Sequence, residues 1–141
     1  MIYSGKIHLT NMCMIYDENG NILVQERIKN DWPGINFPGG HVEIDESLEE
    51  SCIREMKEET GLDVFDLEGC GFFEWNNIDT KERHIAVLYR TNKYEGNIIN
   101  SKEGKVFWIN YKDINEYCLS QDFEKIMNEC MKGLNIYNIK K

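Results

Sequence analysis

Positive charge is scarce in this chain: 16 Lys and Arg stand against 25 Asp and Glu, a net charge of −9 at pH 7. A protein that grips a nucleic-acid polymer needs a basic footprint to displace counterions from the phosphates, so that class of partner is set aside. A small anionic ligand stays open, because a cation can stand between acidic side chains and phosphate oxygens. No stretch approaches the ~18 apolar residues of a membrane span. The start, Met1-Ile2-Tyr3-Ser4-Gly5-Lys6, lacks the roughly 7–15-residue apolar core of a secretory signal. The five cysteines (13, 52, 70, 118 and 130) are odd in number and contain no C-x-x-C pair, so they read as reduced, mostly buried thiols. Internal repeats, low-complexity tracts and linker-like composition are missing too. These absences predict a cytoplasmic protein that touches no membrane. Its 141 residues, 41% hydrophobic, are expected to form a single domain with one real core over 1–141.

What is present concentrates in one stretch, Gly40 to Leu62, GHVEIDESLEESCIREMKEETGL. Ser47 followed by Glu50 is a capping box, and Gly61 is placed to end the helix in a left-handed conformation with Leu62 behind it. Leu48, Cys52, Ile53 and Met56 give the helix an apolar stripe. Glu55, Glu58 and Glu59 project from one side of it, at i, i+3 and i+4. Like charges at those separations cost a few tenths of a kcal/mol per pair. They also crowd the end where the macrodipole disfavours negative charge. Hard divalent cations relieve both penalties, since Mg²⁺ and Mn²⁺ favour carboxylate oxygens. The cluster reads as a metal site. Arg54 lies four residues after Glu50 and four before Glu58, placed to bridge both. Upstream, Phe37-Pro38-Gly39-Gly40 is a tight turn where glycine lets backbone approach a ligand closely.

Gly40, Glu46 and the run Arg54-Glu55-Met56-Lys57-Glu58-Glu59-Thr60-Gly61-Leu62 resemble a complete Nudix box, with every fixed position filled. The resemblance implies an α/β fold, an α/β/α sandwich around a mixed sheet. It implies a Mg²⁺-dependent hydrolase of nucleoside diphosphates linked to another group, with Mn²⁺ as a substitute. By the same resemblance Glu55, Glu58 and Glu59 hold the metal, the Gly39 carbonyl adds a ligand, and Arg54 orients the carboxylates. The FPGGHVE and EGKVFW segments are similar to the MutT-type branch that clears 8-oxo-dGTP. That branch places a glutamate acting as metal ligand or general base in the loop here represented by Glu103; the plainer reading of Glu103 is an exposed loop acid. The expected reaction cleaves a nucleoside triphosphate to the monophosphate and pyrophosphate. Other substrates of this type, a dinucleoside polyphosphate or an ADP-sugar, are the alternatives. A non-catalytic nucleotide sensor is the alternative outside enzymes, and such modules commonly lose the box glutamates kept here. The nucleotide is the expected partner, and monomer and homodimer are both compatible with the sequence.

The flanking segments supply further candidates. Lys6 to Tyr16 reads as a strand, Asp17-Glu18-Asn19-Gly20 as a hairpin turn, and Asn21 to Arg27 as the returning partner. Arg27 either meets substrate phosphate near Gly39 and Gly40 or pairs with a surface glutamate. Asn36 either reads a base edge or bonds its own loop. His41 either donates to phosphate or points outward. Val64 to Trp75 has strand character with a bend at Gly69 and Gly71, Arg83 to Thr91 is a central strand, and Val106 to Asn110 a last one. Tyr111 to Tyr117 is a short helix. Ser120 to Lys132 is a second, with Phe123, Ile126, Met127 and Cys130 facing the sheet.

Overall fold

The computed structural model describes residues 5–27, 33–102 and 104–134. In chain order the elements are β1 (Lys6–Ile15), β2 (Asn21–Arg27), β3 (Gly34–Asn36), β4 (Gly39–His41), α1 (Leu48–Thr60), β5 (Asp63–Phe65), β6 (Glu68–Asn77), β7 (Glu82–Thr91), β8 (Lys93–Glu95), β9 (Gly104–Asn110), a 3-10 turn (Tyr111–Glu116) and α2 (Phe123–Met131). A four-stranded mixed sheet has the order β4-β1-β7-β6, with β1 and β7 parallel and the other pairs antiparallel. A three-stranded sheet has the order β3-β2-β9, and β5 pairs with β8. No helix among the described residues is long and apolar enough to cross a membrane.

Strand alternation makes the layers. On β1, Met12 and Met14 join a core that includes Phe123, Ile126 and Met127 of α2. Their neighbours Cys13 and Ile15 join a second core with Cys52 and Met56 of α1. Successive strand residues face opposite sides, so the two helices cover opposite faces of the sheet strands. The result is the expected mixed α/β sandwich.

Several local expectations are met. Ser47 Oγ accepts from the Glu50 amide at 3.0 Å and Glu50 Oε1 accepts from the Ser47 amide at 2.9 Å, the reciprocal cap. Gly61 closes α1 at φ 84°, its amide bonded to the Lys57 carbonyl. The register of β6 against β7 shifts between Gly69 and Gly71. β7 is internal to its sheet, and Phe123, Ile126, Met127 and Cys130 are buried.

Others are corrected. The turn after β1 forms, with Asp17 Oδ1 accepting from the Asn19 and Asn21 amides at 2.9 Å. The hairpin does not continue: beyond a single Tyr16–Ile22 bridge, β2 leaves to pair with β9 and β3. β7 takes one edge of β1 along its whole length, and on the other edge β4 pairs with Thr10 to Met12 and the Pro38 carbonyl accepts from the Cys13 amide, so a two-strand return has no room beyond the residues next to the turn. The strand expected over Val64 to Trp75 breaks at Asp66, whose φ of 50° no strand accommodates. Leu48 and Ile53 leave the predicted stripe and are exposed at 39% and 37%. The buried face of α1 is instead Ser51, Cys52, Glu55, Met56, Glu59 and Thr60. Two of the three carboxylates therefore sit on the packed face.

Candidate active site

A cavity of about 990 Å³ opens beside that face of α1. Glu55, Glu58, Glu59, Arg27, Gly39 and Gly40 all lie on its wall, so six of the sequence candidates are brought together. Local bonds place them. Asn11 of β1 donates through Nδ2 to Ser51 Oγ of α1 at 2.8 Å and accepts from the Gly40 amide through Oδ1 at 3.4 Å. Ser51 Oγ donates in turn to the His41 carbonyl at 3.4 Å. Helix, central strand and glycine turn are thus bolted to one another, which fixes the distance from the glutamates to the turn.

Arg54 is the charge that makes the crowding tolerable. Its Nε donates to Glu46 Oε2 at 2.6 Å and Nη2 to Glu46 Oε1 at 3.0 Å, a two-pronged pair. Nη1 reaches Glu58 at 3.0 Å and Glu55 at 3.3 Å, and Nη2 also donates to the His41 carbonyl at 3.1 Å. The expected bridge to Glu50 is absent, because Glu50 is committed to the cap; Glu46 takes that place. The guanidinium bonds hold the Glu46 carboxyl down to about 2.

Glu59, 8% exposed, accepts from Gln25 Nε2 and from Ser101 Oγ, both at 2.9 Å. Sequence reasoning missed both donors. The signal for Gln25 was an amide directly after the apolar run Ile22-Leu23-Val24; Ser101 carried none. Asn36 does not lie on the cavity wall: it is 1% exposed, its Oδ1 accepts from the Phe37 amide at 2.9 Å, and its Nδ2 is buried without a partner among the described residues. His41 is exposed at the cavity edge. Glu103 lies outside the described residues.

Glu55 is pushed up to about 7, first by burial and next by its hydrogen bond to Glu58, with Arg54 opposing. In the metal-free protein the folded state therefore holds a proton that the unfolded chain releases near 4.5. Between those values Glu55 binds more protons in the native state, so its contribution to stability falls as pH rises from about 4.5 to about 7, while His84, held below its usual value by burial, adds an opposing slope. With the cavity's water allowed for, the loss is on the order of 1–3 kcal/mol. Thermal midpoints in EDTA are expected to fall across this window, while saturating Mg²⁺ flattens the profile above neutrality. A Glu55→Gln variant whose midpoint in EDTA follows the same pH profile as the parent would contradict this placement of Glu55.

That half-charged, buried carboxylate also tests the fit of a divalent cation. The donors that α1 brings to the cavity are all carboxylate oxygens, the chemistry of Mg²⁺ and Mn²⁺, and a cation would offset the mutual repulsion that now raises Glu55. The residues fit. Glu55, Glu58 and Glu59 would hold it, with Arg54 as their neighbouring charge.

Comparison with known proteins matches residues 6–131 to the NUDIX domain family model. The ADP-ribose pyrophosphatase of Methanocaldococcus jannaschii is 30% identical over 125 residues, covering 86% of this chain and 72% of that protein. The 8-oxo-dGTP diphosphatase of Proteus vulgaris is 31% identical over 91 residues, covering 63% of this chain and 78% of that protein. Among solved structures, the MutT NUDIX hydrolase from Burkholderia pseudomallei has a TM-score of 0.78 at 18% identity, covering 88% of this chain and 98% of that one. The likeness to the last is one of fold.

Proposed function

Since this chain belongs to the NUDIX domain family and is a Nudix hydrolase acting on acid anhydrides, we propose that it cleaves a purine nucleoside triphosphate, foremost 8-oxo-dGTP, to the monophosphate and pyrophosphate. The observation that carries this reading is the continuity of the cavity. Its wall runs from Glu55, Glu58 and Glu59 to Phe73, Trp75, Gln121 and Asp122. Polyphosphate suits the first end, with cations between. Aromatic faces, an amide and a carboxylate suit a flat, hydrogen-bonding base at the other.

Each residue has a stated part in this proposal. Glu55, Glu58 and Glu59 hold Mg²⁺, or Mn²⁺ in its place, which when bound neutralises phosphate charge and favours attack by water. Gly39 contributes its carbonyl on the same side, and Gly40 leaves room for Glu55. Arg54 orients the carboxylates it bonds, and Gln25 and Ser101, both donating to Oε2, fix Glu59 on the cavity wall. Arg27 meets the substrate's phosphates. The water's proton passes to a box glutamate or to Glu103, the role the MutT-type resemblance gives that residue. The setting proposed is the cytoplasmic nucleotide pool, with the chain as monomer or homodimer.

The test is a comparison of kcat/KM for 8-oxo-dGTP, dGTP, dATP and ADP-ribose, with the phosphate product identified. Expected are pyrophosphate release, a preference for 8-oxo-dGTP over dGTP of at least ~10-fold, worth about 1.4 kcal/mol, and loss of activity in EDTA. ADP-ribose fastest by a wide margin would overturn the triphosphate reading and leave the family untouched. Persistence of activity in chelator would overturn the metal's part.

A further inference from the structure

The same cavity carries a second group of donors, on different elements and of different chemistry. β1 and β7 run parallel with Lys6 beside Glu82 and His8 beside His84. Residues two apart on a strand share a face, so Glu82 and His84 stand together with His8 next to them. His8 Nε2 lies 3.0 Å from Glu82 Oε1, and the His8 and His84 rings stack at 4.4 Å with 7° between planes. One ligand atom from each of the three lies within 4.8 Å of the other two. Trp75 of β6, paired with His84 in the sheet, stacks on its other face at 5.1 Å and 1°, which fixes the plane of the imidazole. All three side chains are half-buried, and His8 and His84 lie on the cavity wall.

We propose that His8, Glu82 and His84 form a second metal site, selective for a borderline divalent cation of the Zn²⁺ class and open toward the cavity. Two imidazoles and a carboxylate suit Zn²⁺, Co²⁺ or Ni²⁺, whereas Mg²⁺ goes to all-oxygen donors such as the α1 glutamates. Bonds of about 2.0–2.1 Å to a tetrahedral ion need ligand atoms roughly 3.3 Å apart. Closing from 4.8 Å to that spacing with both lone pairs aimed at one ion requires one ring to turn out of the stack, and His8 is that ring, because Trp75 holds the plane of His84. Three protein ligands leave one position for water or a cavity ligand, the open arrangement. Lys6 Nζ, 3.9 Å from Glu82, is the competing cation; its side chain is 69% exposed and free to swing away. The site shares no residue with α1, so the two ions are separable.

The experiment titrates the full-length protein with Co²⁺ in a large excess of Mg²⁺, which keeps the α1 carboxylates occupied, and reads the visible d–d band. Expected is one Co²⁺ per chain, displaced by Zn²⁺. Glu82→Gln and His84→Ala should each weaken binding at least tenfold, and Glu58→Gln should leave the band unchanged. Circular dichroism reports folding; if His84→Ala does not fold, Glu82→Gln decides the matter. Three results would each overturn the site: no band in excess Mg²⁺, a band indifferent to Glu82→Gln and His84→Ala, or thiolate-to-cobalt charge transfer marking a cysteine as ligand.

Discussion

Glu58→Gln is expected to cut turnover by at least ~100-fold and to leave the thermal midpoint within a few degrees of the parent. The asymmetry follows from where Glu58 stands. Its side chain is 54% exposed, bonded to Arg54 four residues back, so the ion pair lost is worth only about 0.3–0.5 kcal/mol. Removing it also relieves repulsion on Glu55, which returns part of that. The amide keeps the shape and loses the charge. Loss of one preorganised electrostatic partner of a transition state typically costs 10²–10³ in rate, about 2.7–4 kcal/mol. The Mg²⁺ concentration for half-maximal rate should rise as well. Glu50→Gln is the contrasting control, because Glu50 closes the cap and touches none of the cavity carboxylates. It should cost up to about 1 kcal/mol of stability with turnover unchanged. Parallel measurements of kcat and thermal midpoint on both variants check the pair, and a Glu58→Gln enzyme with parental kcat removes α1 from the chemistry.

The parts of this arrangement that were legible in the chain are the local ones. The cap of α1 needs Ser47, Glu50 and Gly61 within one helix, and the turn after β1 needs Asp17 and Gly20, so short-range rules suffice. The carboxylate crowding could be read because helical spacing is fixed. Pairings across the fold were not legible. That β2 turns to β9 depends on β7 and β4 occupying the edges of β1, which alternation within β2 does not encode. Arg54 has Glu50 and Glu58 at equal spacing, and only the cap's use of Glu50 hands the guanidinium to Glu46. Gln25 looks like the frayed end of an apolar strand until Glu59 is placed opposite. His8 and His84 come together through one register of a parallel pair, and neither residue's neighbours announce it.

The adjacent glycines are expected to fail in opposite ways when changed to alanine. Neither has a positive φ, so what each supplies is space rather than an unusual backbone. A Cβ on Gly40 would lie 1.4 Å from Glu55 Oε2 and 2.2 Å from its Cδ. Those atoms end a flexible side chain, so Gly40→Ala folds, but only with the Glu55 carboxylate driven from its position. Turnover should drop by about 100-fold, the scale for misplacing a catalytic group by an ångström, with the thermal midpoint nearly held. A Cβ on Gly39 would lie 1.9 Å from the Asn11 carbonyl oxygen and 3.0 Å from Met12 Cα. That is the backbone of β1, which cannot give way without parting from β4. Gly39→Ala should therefore lose about 2–4 kcal/mol of stability, a drop in thermal midpoint on the order of 10 °C. The double variant Gly40→Ala/Glu55→Gln should be no slower than its slower parent, since both changes remove the same carboxylate from the same place. Additive losses in that double variant, or parental turnover in Gly40→Ala, would mean that the space beside Glu55 serves something other than holding its carboxylate against the turn.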